Sequence, residues 1–163
     1  MIPRYARRTA FAVATVAVVA PSAPAQSSTQ TITFAINAIN QIAFVGSPSL
    51  TVSTAVPGAP PSSATDATAT WAVTTNQSGA KITASIPTGM PAGLTLSSSL
   101  APPVGATSGG FMPLSTVAVD LVTGITKVAQ GAMVVTYKLD ATPAAGVVSA
   151  SSRIVTYTIT GGT

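Results

Sequence analysis

Histidine, cysteine and glutamate are all missing from the 163 residues, and the only side-chain carboxylates are three aspartates. Without imidazole or thiol there is no His- or Cys-based catalysis, no disulfide, no Cys/His zinc site and no c-type haem attachment. A glutamate acid/base is excluded on the same ground. Charged residues make up 6% of the chain and aromatic residues 5%. The longest apolar run, TAFAVATVAVVA over residues 9–20, is shorter than the roughly 20 residues a membrane-spanning helix needs.

That run follows Arg4, Arg7 and Arg8 and leads to Pro21 and then Ala23-Pro24-Ala25. A short basic start, a short apolar stretch and a small-x-small site form the pattern of a cleaved export signal. Residues 1–25 are therefore expected to be removed, leaving one domain over residues 26–163. The formal net charge of +4 belongs mostly to the signal. Beyond it, Lys81, Lys127, Lys138 and Arg153 stand against Asp66, Asp120 and Asp140, a net charge of +1. No basic stripe remains for phosphates, so nucleic acid is excluded as a partner.

The remaining 138 residues hold 23 Thr and 17 Ser, with Val, Ile and Ala supplying much of the rest. β-branched residues suit a pleated, half-buried surface, and the usual helix formers are scarce. Disorder would combine low hydrophobicity with high charge, and this chain has neither. Period-two alternation broken by Gly, Pro and Asn places candidate strands at residues 30–36, 39–45, 50–56, 68–75, 81–86, 94–100, 114–122, 133–139 and 153–160. In the first, Ile32, Phe34 and Ile36 share one face. Asn37 and Asn40 then offer a polar break at which this segment could swing away. In the seventh, Val117, Val119 and Leu121 alternate. Asn76-Gln77-Ser78-Gly79 reads as the turn of a hairpin joining residues 68–75 to 81–86. The whole predicts an all-β fold, a single antiparallel Ig-like sandwich of eight or nine strands.

Few side chains point to chemistry. Asp66, Asp120 and Asp140 read as solvated or turn residues; a weak calcium site could draw on them with loop carbonyls, because calcium needs only oxygen ligands. A serine nucleophile would need Lys81, Lys127 or Lys138 as its base, and no Ser-x-x-Lys or Gly-x-Ser-x-Gly pattern occurs. No catalytic, cofactor-binding or metal residue is assigned, and an enzyme is not expected. Trp71, Tyr137 and Tyr157 could stack on sugars, but each is in phase with apolar neighbours and reads as core. Asn76-Gln77-Ser78 matches an N-glycosylation acceptor, although a turn explains it equally.

The export signal, the alternating strand directly after it (Thr31 to Ile36) and the close from Ala144-Ala145-Gly146-Val147 through Arg153-Ile154-Val155-Thr156-Tyr157-Thr158-Ile159-Thr160 resemble secreted bacterial pilin-like sandwiches such as the spore coat protein U and fimbrial subunit group. The cysteine pair frequent in fimbrial subunits is missing. Trp71-Ala72-Val73 departs from the WxL wall-binding pattern at Val73.

The resemblance implies a secreted, cell-surface or periplasmic structural protein whose subunits associate by strand pairing, with itself or other surface proteins as partners. Residues 30–36 are the expected donor in any strand exchange, since export frees one end of the segment; folding back onto its own sandwich is the alternative for the same strand. A monomeric adhesin or carbohydrate-binding module is the alternative. Intact-mass measurement on the exported protein should find a chain beginning close to Gln26; a retained Met1 would show that the signal is not cut.

Overall fold

A computed structural model describes residues 22–162. The basic start and apolar run expected to form the export signal lie outside the described residues. The chain divides into Met1–Ala35 and Ile36–Thr163. In the first unit the described residues, 22–35, form no strand and are exposed throughout. The nine strands found among the described residues all fall in the second.

They are β1 (Asn40–Val45), β2 (Ala64–Thr75), β3 (Ala80–Ser85), β4 (Leu94–Leu100), β5 (Thr107–Ser108), β6 (Met112–Pro113), β7 (Val119–Ile125), β8 (Val128–Ala141) and β9 (Thr156–Thr160). Two antiparallel sheets result, one ordered β1-β2-β8-β4-β6 and the other β5-β7-β3-β9. The expected all-β sandwich is thus present, and every ladder among the described residues joins strands distant in sequence.

The core forms where alternation turns the same face of each strand inward. Ala69, Trp71 and Val73 of β2 and Met133, Val135 and Tyr137 of β8 come from one sheet, and Ala80, Ile82 and Ala84 of β3 and Leu121, Val122 and Ile125 of β7 from the other. Trp71 is 1% exposed, and its Nε1–H donates to the Ala101 carbonyl at 3.1 Å. Burying an indole without a partner for its N–H would forfeit part of the gain, so this bond lets Trp71 occupy the centre. Two opposite bulges keep the β2–β8 ladder in phase. One extra residue lies on β2 between Asp66 and Ala69, and one on β8 between Gln130 and Met133, where Ala132 takes a φ of 56°.

Four sequence expectations are corrected. β2 and β3 are not a hairpin: β2 is flanked on both edges by β1 and β8, while β3 pairs with β7 and β9. The Asn76–Gly79 turn arches from sheet to sheet, because both strands bury one alternate set and those sets face each other across the core. Residues 50–56 make no strand beyond an isolated bridge between Ala55 and Pro61. The intervening prolines turn the segment back on itself, and Ser62 N–H reaches the Thr54 carbonyl at 2.8 Å. Val117 is 74% exposed; Ser115 Oγ accepts from its amide at 3.1 Å in a local turn, which delays β7 until Val119.

The fourth correction concerns residues 30–36, which carry no strand assignment. Alternation specifies that a segment has an apolar face, not which edge that face will meet.

Trp71→Ala should cost about 3–5 kcal/mol of stability, as for other buried large-to-small aromatic replacements. Urea unfolding of the two proteins reads this directly. A variant that unfolds with the wild type would place the indole outside the core.

Candidate assembly site

The edges β1 and β9 approach each other at one side of the sandwich. Phe44 of β1 stacks on Tyr157 of β9 with ring centroids 3.8 Å apart and an interplanar angle of 13°. Phe44 also stacks near Trp71, at 5.9 Å, so three rings run from the core to the edge. Tyr157 and Tyr137 share a hydrogen bond between their hydroxyls at 2.7 Å, and Ser98 Oγ lies 3.3 Å from the Tyr157 oxygen. This chain of hydroxyls ties β9 to β8 and β4 across the interior. Burial pushes the Tyr157 hydroxyl far above the ordinary tyrosine range, and burial likewise raises Tyr137.

Past Tyr157 the two sheets differ in length. The four-stranded sheet ends where Ser85 pairs with Thr156. The five-stranded sheet continues through Leu96 opposite Leu139 to Leu94 opposite Ala141. Over that stretch the inner face meets non-strand chain, residues 48–55 and 146–155, and a groove of about 1070 Å³ remains. Phe44, Leu50, Leu96, Tyr137, Leu139 and Tyr157 are among the residues lining it.

Local chemistry fixes the groove walls. Gly46 (φ +123°) turns the chain off β1 so close to β2 that a Cβ there would sit 2.8 Å from Ala69 Cα. Asp66 then accepts from the amides of Ser49 at 2.9 Å and Thr68 at 2.8 Å, and from Thr68 Oγ at 2.6 Å. Those bonds, the Thr68 hydroxyl first, hold its carboxyl below the ordinary aspartate range. Asp140 accepts from the Ser63 hydroxyl and pairs with Lys138 at 2.9 Å; the serine bond is the main reason its carboxyl is also lowered. Asp120 pairs with Lys81 at 2.9 Å on the surface. The three aspartates are thus engaged separately, and no group of three candidate metal ligands assembles among the described residues.

Asn76 is likewise occupied. Its Oδ1 accepts from Ile39 N–H and its Nδ2 donates to the Asn37 carbonyl, both at 2.8 Å, while Gln77 Nε2 donates to the same Oδ1. The glycosylation-like triplet is a structural corner. Residues 37–40, expected as a pivot, are instead clamped: Asn40 Oδ1 also accepts from Thr75 Oγ1 at 2.6 Å.

Before that clamp the chain is unprotected. Ile32, Phe34 and Ile36 are 76%, 89% and 82% exposed. Alternation could identify their shared face; the groove could not be found from sequence, since it arises from the unequal lengths of two sheets.

No protein-family model matches the chain, and neither the curated proteins nor the solved structures include a significant match. No helix among the described residues is long and apolar enough to cross a membrane.

The tyrosine pair predicts alkaline sensitivity. Both folded-state values lie above the unfolded value of 10.0, so the unfolded chain loses these protons first. Their contribution is fully present below about pH 10 and declines as pH rises beyond it toward the folded values. Melting temperatures followed from about pH 8 to 11 should fall less steeply for Tyr157→Phe than for wild type. Parallel profiles would show that the hydroxyl is not held in its neutral form.

Proposed function

We propose that this protein is a non-enzymatic structural subunit, exported to the cell surface, periplasm or surroundings, that associates with copies of itself by β-strand pairing. The observation that carries the reading is the solvent exposure of Ile32, Phe34 and Ile36 on one face of an uncharged, alternating segment. Monomeric proteins seldom leave three large apolar side chains so placed. The outer edges of β1 and β9 each lack a ladder partner among the described strands, and such edges are templates for a further strand.

Magnitudes are consistent with assembly that depends on concentration. Burying three such side chains contributes about 5–9 kcal/mol, while association costs about 4–15 kcal/mol. Side-chain burial alone therefore does not ensure a stable complex, and backbone hydrogen bonds along an open edge supply the difference. A net charge of +1 beyond residue 25 adds little like-charge repulsion between packed copies. The carbohydrate-binding alternative loses its platform, since Trp71 and Tyr137 are buried and Tyr157 is stacked and hydrogen-bonded.

Size-exclusion chromatography over a concentration series, with negative-stain microscopy, tests this. The chain beginning at Gln26 should form oligomers or fibres. Deletion of residues 27–36 should leave a monomer with an essentially unchanged melting temperature, because the deleted segment contributes no strand to the sandwich. A Gln26 chain that stays monomeric at high concentration would defeat the proposal.

A further inference from the structure

We infer that the groove beyond Tyr157 is the acceptor for residues 30–36 of a second copy of this chain. The inference rests on the strand-pairing function proposed above and names its receiving site.

Length and spacing agree. Leu96, Tyr137 and Leu139 present alternate side chains into the groove, and the stretch of β8 from Tyr137 to Ala141 covers about 14 Å at the rise of an antiparallel strand. Residues 32 to 36 extended cover the same distance, with Ile32, Phe34 and Ile36 about 7 Å apart. The open edge of β9 begins at Thr156, at the mouth of the groove, and offers backbone partners to an incoming strand. Charge agrees too. Residues 30–36 carry none, and among the described residues the only charged side chain lining the groove is Arg153, whose guanidinium is turned to the carbonyls of Gly89 and Ser152.

Covalent reach favours the groove of a second copy over the segment's own. Asn37 and Ile39 are clamped to Asn76, beside the end of β2 where Asn40 pairs with Thr75. Tyr137 and Leu139 lie opposite Asp66 and Ala64, at the other end of β2. Ten residues of strand separate Asn76 from Asp66, about 33 Å. Ile36 directly precedes the clamp, and a single residue reaches at most about 3.6 Å. If the segment folded back along β1, Ile32 would come level with Phe44, but Ile36 would remain near Asn40, outside the groove. Entry of all three side chains together is therefore favoured from another copy.

The absence of cysteine makes introduced thiols unique reporters. Phe34→Cys protein is mixed with Leu50→Cys protein, or with Val155→Cys as a second groove position, and oxidised; melting curves confirm that each variant is folded. Val104→Cys, 83% exposed and not part of the groove lining, is the control. The expected result is a heterodimeric disulfide, identified by peptide mass, formed roughly tenfold or more above the control because docking raises the effective thiol concentration.

Three outcomes overturn the inference. If oligomers form but Phe34→Cys joins Ala43→Cys on β1 or Thr158→Cys on β9 in preference to the groove positions, strand pairing stands and the acceptor is an edge. If a Phe34→Cys/Leu50→Cys double variant closes within a dilute monomer, the segment serves its own chain. If no oligomer is seen at any concentration, the function proposed above fails together with its site.

Discussion

The stack of Phe44 on Tyr157 decides where this sandwich is shut and where it is open. Two edge strands from different sheets meet through these rings, and aromatic contacts of this kind contribute about 0.5–1.5 kcal/mol beyond the area they bury. The position matters more than the magnitude. Tyr157 is the second residue of β9, and its hydroxyl is held by Tyr137 from the opposite sheet. Above that point strands face strands. Below it β8, β4 and the start of β2 continue without a facing strand, and residues 48–55 and 146–155 provide the walls.

Charge has little part in holding the fold. Two ion pairs, Lys81 with Asp120 and Lys138 with Asp140, lie on the surface, where such pairs contribute little. Stability comes from the apolar core, with Trp71 at its centre and polar groups admitted only where they are bonded. The aspartates position chain instead. Asp66 draws the residue 49 backbone toward β2 and caps the bulge at Thr68, while Asp140 fastens the approach to β2 through Ser63. Both lie near the groove, so two of the three carboxylates sit where the sandwich lacks a strand.

Asn76 fixes the corner before β1, where its side chain holds Asn37 and Ile39 to the end of β2. An open edge carries an aggregation hazard, and the outward side chains of β9, Thr156, Thr158 and Thr160, are short, hydroxylated and uncharged.

Most strands were legible in the sequence because their inward residues alternate. Val135, Tyr137 and Leu139 on β8, Ile82 and Ala84 on β3, and Tyr157 and Ile159 on β9 share the faces their spacing indicates, and Trp71 is core as its apolar neighbours suggest. Failures came where a residue's environment is supplied by distant chain. The turn at Asn76 reads as a hairpin because its local signals are those of a reversal, yet competition for the edges of β2 made it an arch. Residues 50–56 alternate like a strand and are captured by a proline turn and by Asp66.

The class of fold and most inward side chains can be read from the sequence, because both follow from periodicity. Which sheet each strand joins, where the shorter sheet stops and which chain covers the inner face beyond it are visible only in three dimensions. Those are distances between segments far apart in sequence, and local pattern carries no record of them.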